Sequence, residues 1–139
     1  MSTEENKALI RRFYEEFNKK NLVAIYDLID PNFVDHAAPP GMPGGIEGQK
    51  QLIGMYLTAL PDLHFRVEDM IAEGDRVVAR VTASGTHQGV FWGIPPTGKH
   101  AAFTAIDITR IAGGKLVEHW LEMDTLGLLQ QLGVIPSMG

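Results

Sequence analysis

Two residues in the last third of the chain, Asp107 and His119, could do acid–base chemistry together. Each lies in a segment where apolar and polar residues alternate, as in strands whose successive side chains point to opposite faces. His119 shares its face with Leu121 and Met123, so we expect it among core residues. A carboxylate beside an imidazole in an apolar cavity supplies a proton donor and a proton acceptor near neutral pH. Such a pair could remove a proton next to a carbonyl, or it could be a buried pair that only holds two strands in register.

Whether the two side chains face each other depends on the turn that contains Gly113 and Gly114. A three-residue loop with a glycine bulge places Asp107 opposite His119. A two-residue loop places Ile108 there instead.

The elements that must position this pair follow from hydrophobic spacing. Asn21 is a candidate N-cap for the second helix, and Asp124 or Thr125 is one for the last helix. The order of the elements predicts an α+β fold in which N-terminal helices pack on the concave face of a curved antiparallel sheet, as one domain over residues 1–139. The predicted helices are 4–18, 22–30, 49–60 and 126–132, and the predicted strands are 33–36, 63–72, 76–87, 100–111 and 115–123.

Composition excludes several classes of protein. The 139 residues include 45% hydrophobic residues, which is enough for a core, and carry a net charge of −5 without a basic cluster. We therefore expect no nucleic-acid or membrane partner, but a small-molecule one. The absence of cysteine excludes disulfides and thiolate metal sites, and with no signal-peptide pattern it favours the cytoplasm.

Other motifs do not support a cofactor or a metal. The segment 93–100 has nearly the spacing of a phosphate-binding loop, but Pro95 and Pro96 lack the backbone N–H groups that would hold phosphate. The histidines show no metal-binding spacing, and no serine lies in a GxSxG turn. We expect no metal and no cofactor.

Six motifs in the chain form a recognisable combination. They are Gly85-Thr-His-Gln-Gly89, Phe91-Trp-Gly-Ile-Pro-Pro-Thr-Gly-Lys99, Asp107-x-x-Arg110, Gly114-Lys-Leu-Val-Glu-His-Trp120, Asp124 and Gln130-Gln-Leu-Gly133. Together they resemble the SnoaL-like polyketide cyclase family of the nuclear-transport-factor-two-like superfamily, and the resemblance covers nearly the whole chain. It implies a conical α+β barrel, a deep pocket, and cofactor-free aldol cyclisation that depends on an aspartate.

The chain departs from the family pattern at the catalytic acid. These cyclases typically read His-Trp-Asp where this chain has His119-Trp120-Leu121, so leucine occupies the carboxylate position. Asp107 could supply a carboxylate from the neighbouring strand. Asp124 matches a second family acid and is a further catalytic candidate, although its position also suits a helix cap.

The substrate contacts that we expect come from the pocket face and from its rim. His36 matches a family position at the pocket mouth, and His87 lies at the inward-facing end of a strand. His64 and His100 fall on the opposite face and are expected at the surface. The expected substrate-binding residues are His36, His87, Phe17, Trp92, Phe103, Leu121 and Met123.

These observations support an acid–base enzyme that acts on a small hydrophobic carbonyl compound as a cyclase or an isomerase, with His119 as base and Asp107 as its partner. The alternative is a non-catalytic ligand-binding or oligomerisation domain, because Leu121 removes an expected acid. Epoxide hydrolysis would need an arginine between two carboxylates. Arg110 lies three residues from Asp107 in the same predicted strand, so its side chain should point to the opposite face.

The outer face of the sheet should carry an apolar patch, which usually marks an interface. We therefore predict a homodimer formed through the sheets. The residues assigned to this patch are Met70, Val78, Ile106, Ile108 and Trp120.

Overall fold

A computed structural model describes residues 2–136 and confirms the α+β fold. Five strands form one open sheet in the order β1-β5-β4-β3-β2. Neighbouring strands are antiparallel except β1 and β5, which are parallel. The elements are α1 (Thr3–Asn18), α2 (Leu22–Asp27), β1 (Ile29–Asp35), α3 (Gly45–Ala59), β2 (His64–Glu73), β3 (Arg76–Thr86), β4 (His100–Ala112), β5 (Lys115–Met123) and α4 (Thr125–Gln131).

Helix α1 covers the inner face of the sheet. Ser2 and Glu5 form a capping box that satisfies backbone N–H groups at the start of the helix. Ile10, Tyr14 and Phe17 recur at helical spacing, are buried, and pack toward β2 and β3. One wall of the interior is therefore a helix face that is rich in aromatic residues.

The region around β1 differs from the sequence prediction. Helix α2 begins after its Asn21 cap as expected but ends at Asp27, and β1 starts at Ile29 rather than at Phe33. Pro31 lies inside β1, which is tolerated because β1 is an edge strand and its register is irregular between Ile29 and Val34. The longer β1 brings Asp35 beside β5.

A bulge in β2 changes which residues face outward. Val67 pairs with Val81 and Asp69 pairs with Arg80, so Glu68 is an extra residue in the strand. After the bulge the even-numbered residues of β2 face inward instead of the odd-numbered ones, and Met70 packs against the core. The prediction that Met70 lies on the outer face is wrong, and Ile71 takes that place.

A second bulge sets the register between β4 and β5. The turn has two residues, Gly113 and Gly114, because Ala112 pairs with Lys115. Val117 is then an extra residue, so Thr109 pairs with His119. Neither of the two expected registers occurs.

The same bulge leaves Asp107 and His119 on one face. Asp107 pairs with Leu121, two residues along β5 from His119, so the two side chains are diagonal neighbours. Within residues 2–136 no helix has the length and apolar character needed to cross a membrane.

Candidate active site

A cavity of about 150 Å³ lies between the inner face of the sheet and helices α1 and α3. Aliphatic and aromatic side chains form most of its wall. Five polar residues interrupt that wall. They are Asp35, Gln49, Asp107, Thr109 and His119.

His119 lies between two carboxylates. Its Nδ1 donates a hydrogen bond to Oδ1 of Asp35 at 3.1 Å, and its Nε2 lies 4.0 Å from Oδ2 of Asp107. The first contact follows from the parallel pairing of β1 with β5, in which Asp35 and His119 are register partners. The second follows from their diagonal positions on β4 and β5.

Both carboxylates have further partners. Asp35 accepts hydrogen bonds from the Gln49 side chain at 2.8 Å and from the Ala37 backbone N–H at 2.9 Å. The Tyr14 hydroxyl of α1 donates a hydrogen bond to Oδ2 of Asp107. The other Asp107 oxygen, Oδ1, is buried and has no hydrogen-bond partner among the described residues. Asp107 thus keeps one oxygen available for a proton.

The environment sets the charge of these groups. Burial alone would lower the pKa of His119, but the Asp107 and Asp35 carboxylates outweigh burial and raise the pKa to about 9. Burial would raise the pKa of Asp35, but the hydrogen bond and charge of His119, together with the hydrogen bonds from Ala37 and Gln49, outweigh burial and lower that pKa. Burial, together with the Asp107 charge, raises the pKa of Tyr14 well above its ordinary value. At neutral pH the site therefore holds an imidazolium, an ionised Asp35 and a neutral phenol.

Comparison with known proteins assigns the chain to a family. The model of the SnoaL-like polyketide cyclase family matches residues 8–132. The chain belongs to this family. Among curated proteins it is similar to nogalonic acid methyl ester cyclase of Streptomyces nogalater, with 30% identity over 109 residues that cover 77% of this chain and 78% of that protein.

Solved structures show the same fold. TsrD from Streptomyces laurentii is 32% identical with a TM-score of 0.88, and the match covers 97% of this chain and 99% of that one. IdmH from Streptomyces antibioticus is 35% identical with a TM-score of 0.80, and the match covers 92% and 98% of the two chains.

Several predicted residues of this SnoaL-like chain line the cavity. Phe17 lies on α1, Phe103 on β4, and Leu121 and Met123 on β5. Leu121, at the position where the resemblance led us to expect a carboxylate, pairs directly with Asp107. An acid is therefore present at this level of the sheet, on the adjacent strand.

Two predicted catalytic or rim residues have structural positions. Asp124 is the N-cap of α4, and its side chain accepts a hydrogen bond from the Gly127 backbone N–H at 2.9 Å. His87 is buried just after β3, and its Nδ1 accepts a hydrogen bond from the Thr97 backbone N–H at 3.2 Å. Neither is among the described residues that line the cavity. The expected roles of Asp124 in catalysis and of His87 in substrate binding stay predictions.

His36 and Trp92 also lie away from the described cavity wall. His36 follows Asp35 in sequence and points to the opposite face, where its ring stacks on Trp120 at 4.9 Å between centroids. Trp92 has a φ of 50° in the loop between β3 and β4, and its exposed ring stacks on Phe91. Substrate contacts of His36 and Trp92 stay predictions.

Sequence reasoning missed two members of the site. The sequence analysis assigns no role to Asp35, because its contact with His119 spans 84 residues of sequence. Tyr14 lies on the apolar face of α1, and a hydroxyl among the apolar residues of that face was a signal that could have identified it. Among residues 2–136 no group of three His, Cys, Asp or Glu side chains is placed to hold a metal ion.

Proposed function

We propose that this chain is a cofactor-independent acid–base enzyme that acts on a small hydrophobic carbonyl compound, by cyclase-like aldol cyclisation or by isomerisation. One observation carries the proposal. The His119 imidazolium lies between Asp35 and Asp107 at the wall of an apolar cavity. The similarity to a curated cyclase supports the reaction class.

Asp107 is the proposed base. Its buried Oδ1 has no partner within the described chain, so it can accept the α-proton of a bound ketone or ester. The electron pair of the broken C–H bond forms the enolate double bond, and the carbonyl π electrons move to oxygen. Tyr14 holds the second carboxylate oxygen and so orients the base.

His119 is the proposed proton donor. Because the pKa of His119 is about 9, the ring is protonated at neutral pH and cannot serve as the base that the sequence suggested. Its Nε2–H can stabilise the enolate oxygen. In cyclisation the enolate carbon attacks a second carbonyl carbon, whose π electrons move to its oxygen, and the new alkoxide takes the proton of His119 Nε2. The proton that Asp107 accepted then passes to His119, which restores both groups. In isomerisation Asp107 returns the proton to another carbon.

The role of Asp35 is to orient His119. Its hydrogen bond to Nδ1 leaves Nε2–H directed away from β1, and Gln49 holds the other Asp35 oxygen. Asp35 also keeps the imidazolium charged.

The test is deuterium uptake at the α-carbon of neutral β-keto esters and cyclic ketones in heavy water. We expect uptake with the wild-type protein and almost none with Asp107→Asn of unchanged circular dichroism. Equal uptake by both proteins would remove Asp107 from the mechanism. Binding without uptake by the wild type would favour a non-catalytic binding domain.

The proposal includes a homodimer formed through the outer face of the sheet. An apolar row crosses four strands in register, through Ile71, Val78, Ile108 and Trp120. The rows on either side carry both charge signs, which suits two antiparallel copies of the same face. These rows are Asp69–Arg80–Ile106–Glu122 and Glu73–Arg76–Arg110–Glu118.

Light scattering tests this assembly. We expect a dimer at micromolar concentration and a monomer for Ile108→Glu, because the new charge would lie unpaired in the apolar row. A wild-type monomer would contradict the proposed dimer without affecting the cavity.

A further inference from the structure

We propose that the cavity accepts an uncharged carbonyl compound built on a single ring with short substituents, and that it rejects fused polycycles and carboxylates. This inference rests on the acid–base function proposed above and names the substrate class of the same site. Size, charge and the placement of polar groups each support it.

The size argument comes from the cavity volume. The cavity has a volume of about 150 Å³, and an engineered apolar cavity of about 150 Å³ in another protein binds benzene. The aromatic wall is interlocked, since Phe65 lies 5.2 Å from Tyr14 and 5.0 Å from Phe17 between ring centroids. Moving one ring would disturb its neighbours, so the wall resists expansion to admit a second fused ring.

The charge argument comes from the titratable groups of the wall. Among the described lining residues the charged groups are Asp35, Asp107 and His119, and the wall contains no lysine or arginine. The His119 imidazolium already lies between the Asp35 and Asp107 carboxyl groups, so no cation of the wall is left to pair with a substrate carboxylate. Such a carboxylate would lose its hydration in an apolar setting without gaining a partner. A ketone or an ester avoids this cost.

The polar groups also determine the orientation of the substrate. Asp35, Asp107, Thr109 and His119 lie on β1, β4 and β5, on one side of the sheet, whereas Phe65 lies on β2 at the opposite edge. The carbonyl is therefore placed against β4 and β5, with the ring directed toward Phe65 and β2.

The experiment measures binding separately from chemistry. Isothermal titration calorimetry near neutral pH compares the methyl ester of a cyclohexanone carboxylic acid, the corresponding free acid, and the methyl ester of a decalone carboxylic acid. We expect the single-ring ester to bind at least about tenfold more tightly than either of the other two, which corresponds to about 1.4 kcal/mol.

A variant tests the size argument directly. Phe17→Ala removes a wall ring and should reduce the preference for one ring over two, while the preference for ester over acid remains. Leu121→Ala enlarges another part of the wall, and it replaces Phe17→Ala in this test if Phe17→Ala does not fold. An unchanged ring-size preference in a folded variant would contradict the argument from volume.

The outcomes separate this inference from the proposed function. Preferred binding of the single-ring ester without α-deuterium uptake would support the inference and contradict the enzyme proposal. Deuterium uptake together with equal or tighter binding of the decalone ester or of the free acid would overturn the inference and leave the enzyme proposal intact. Failure of all three compounds to bind at millimolar concentration would also overturn it.

Discussion

Two histidine–carboxylate pairs join β1 to β5 on opposite faces of the sheet. Asp35 bonds His119 at 3.1 Å on the inner face, and one residue further along each strand His36 and Trp120 stack on the outer face. His36 forms the second pair with Glu118 at 2.6 Å. The outer pair is shorter, yet the inner pair is the one that is suited to chemistry.

Burial and a further partner account for the difference. The His119 and Asp35 side chains are 21% and 6% exposed, against 43% and 21% for His36 and Glu118. Water screens the outer pair, so it contributes little to stability. His119 has a second carboxylate, Asp107, and faces an apolar cavity. The number of charges around a buried group therefore matters more here than the length of one contact.

The largest expected effect is on the pH dependence of stability. The ordinary pKa of histidine is 6.5, and in the folded protein the pKa of His119 is about 9. Because the pKa is raised on folding, the charged His119 stabilises the folded protein fully below pH 6.5. This contribution to the free energy of unfolding, about 3 kcal/mol, is lost as the pH rises to about 9. Urea denaturation across that range should show the loss in wild type but not in His119→Gln. If the stability of both proteins changed with pH in the same way, the raised pKa of His119 would be contradicted.

The next effect separates the two histidines by activity. We expect His119→Gln to lower the rate of α-deuterium exchange by about 100-fold, because it removes the proton donor. His36→Gln, the matched change on the outer face, should stay within about twofold of wild type, since that side chain does not touch the cavity wall. Similar losses in both variants would mean that the faces are not functionally distinct.

A smaller effect concerns the charge on His119. Asp35→Asn removes one of the two carboxylates beside the ring, so the pKa of His119 should fall by about one unit or more. Glu118→Gln, on the outer face, should leave it unchanged. Titration of the His119 ring by NMR measures both. An unaltered titration in Asp35→Asn would show that Asp107 alone raises the pKa.

The smallest effect is the contribution of the outer pair to stability. Glu118→Gln should change the free energy of unfolding by less than about 1 kcal/mol, because the pair is partly exposed to water. Denaturation in an Ile108→Glu background measures this without a contribution from the proposed dimer. A larger loss would place the outer pair in a stabilising network with Arg110, which bonds Glu118 at 2.8 Å.

Part of this molecule follows from its sequence alone. Alternation within β3, β4 and β5 and the caps at Asn21 and Asp124 are local properties, so most element bounds were predicted closely. The sequence also offered a shared face for Asp107 and His119, but only through a three-residue loop, and that register does not occur.

Tertiary structure decided the rest. The bulges at Glu68 and Val117 exchange the inward-facing and outward-facing positions of the strand beyond them. They depend on how one strand pairs with the next. Asp35 and Tyr14 reach the site through the pairing of β1 with β5 and the packing of α1 on the sheet. Local periodicity determines which side a residue faces within its own element, but only the packing of distant elements determines which charged groups meet in the cavity.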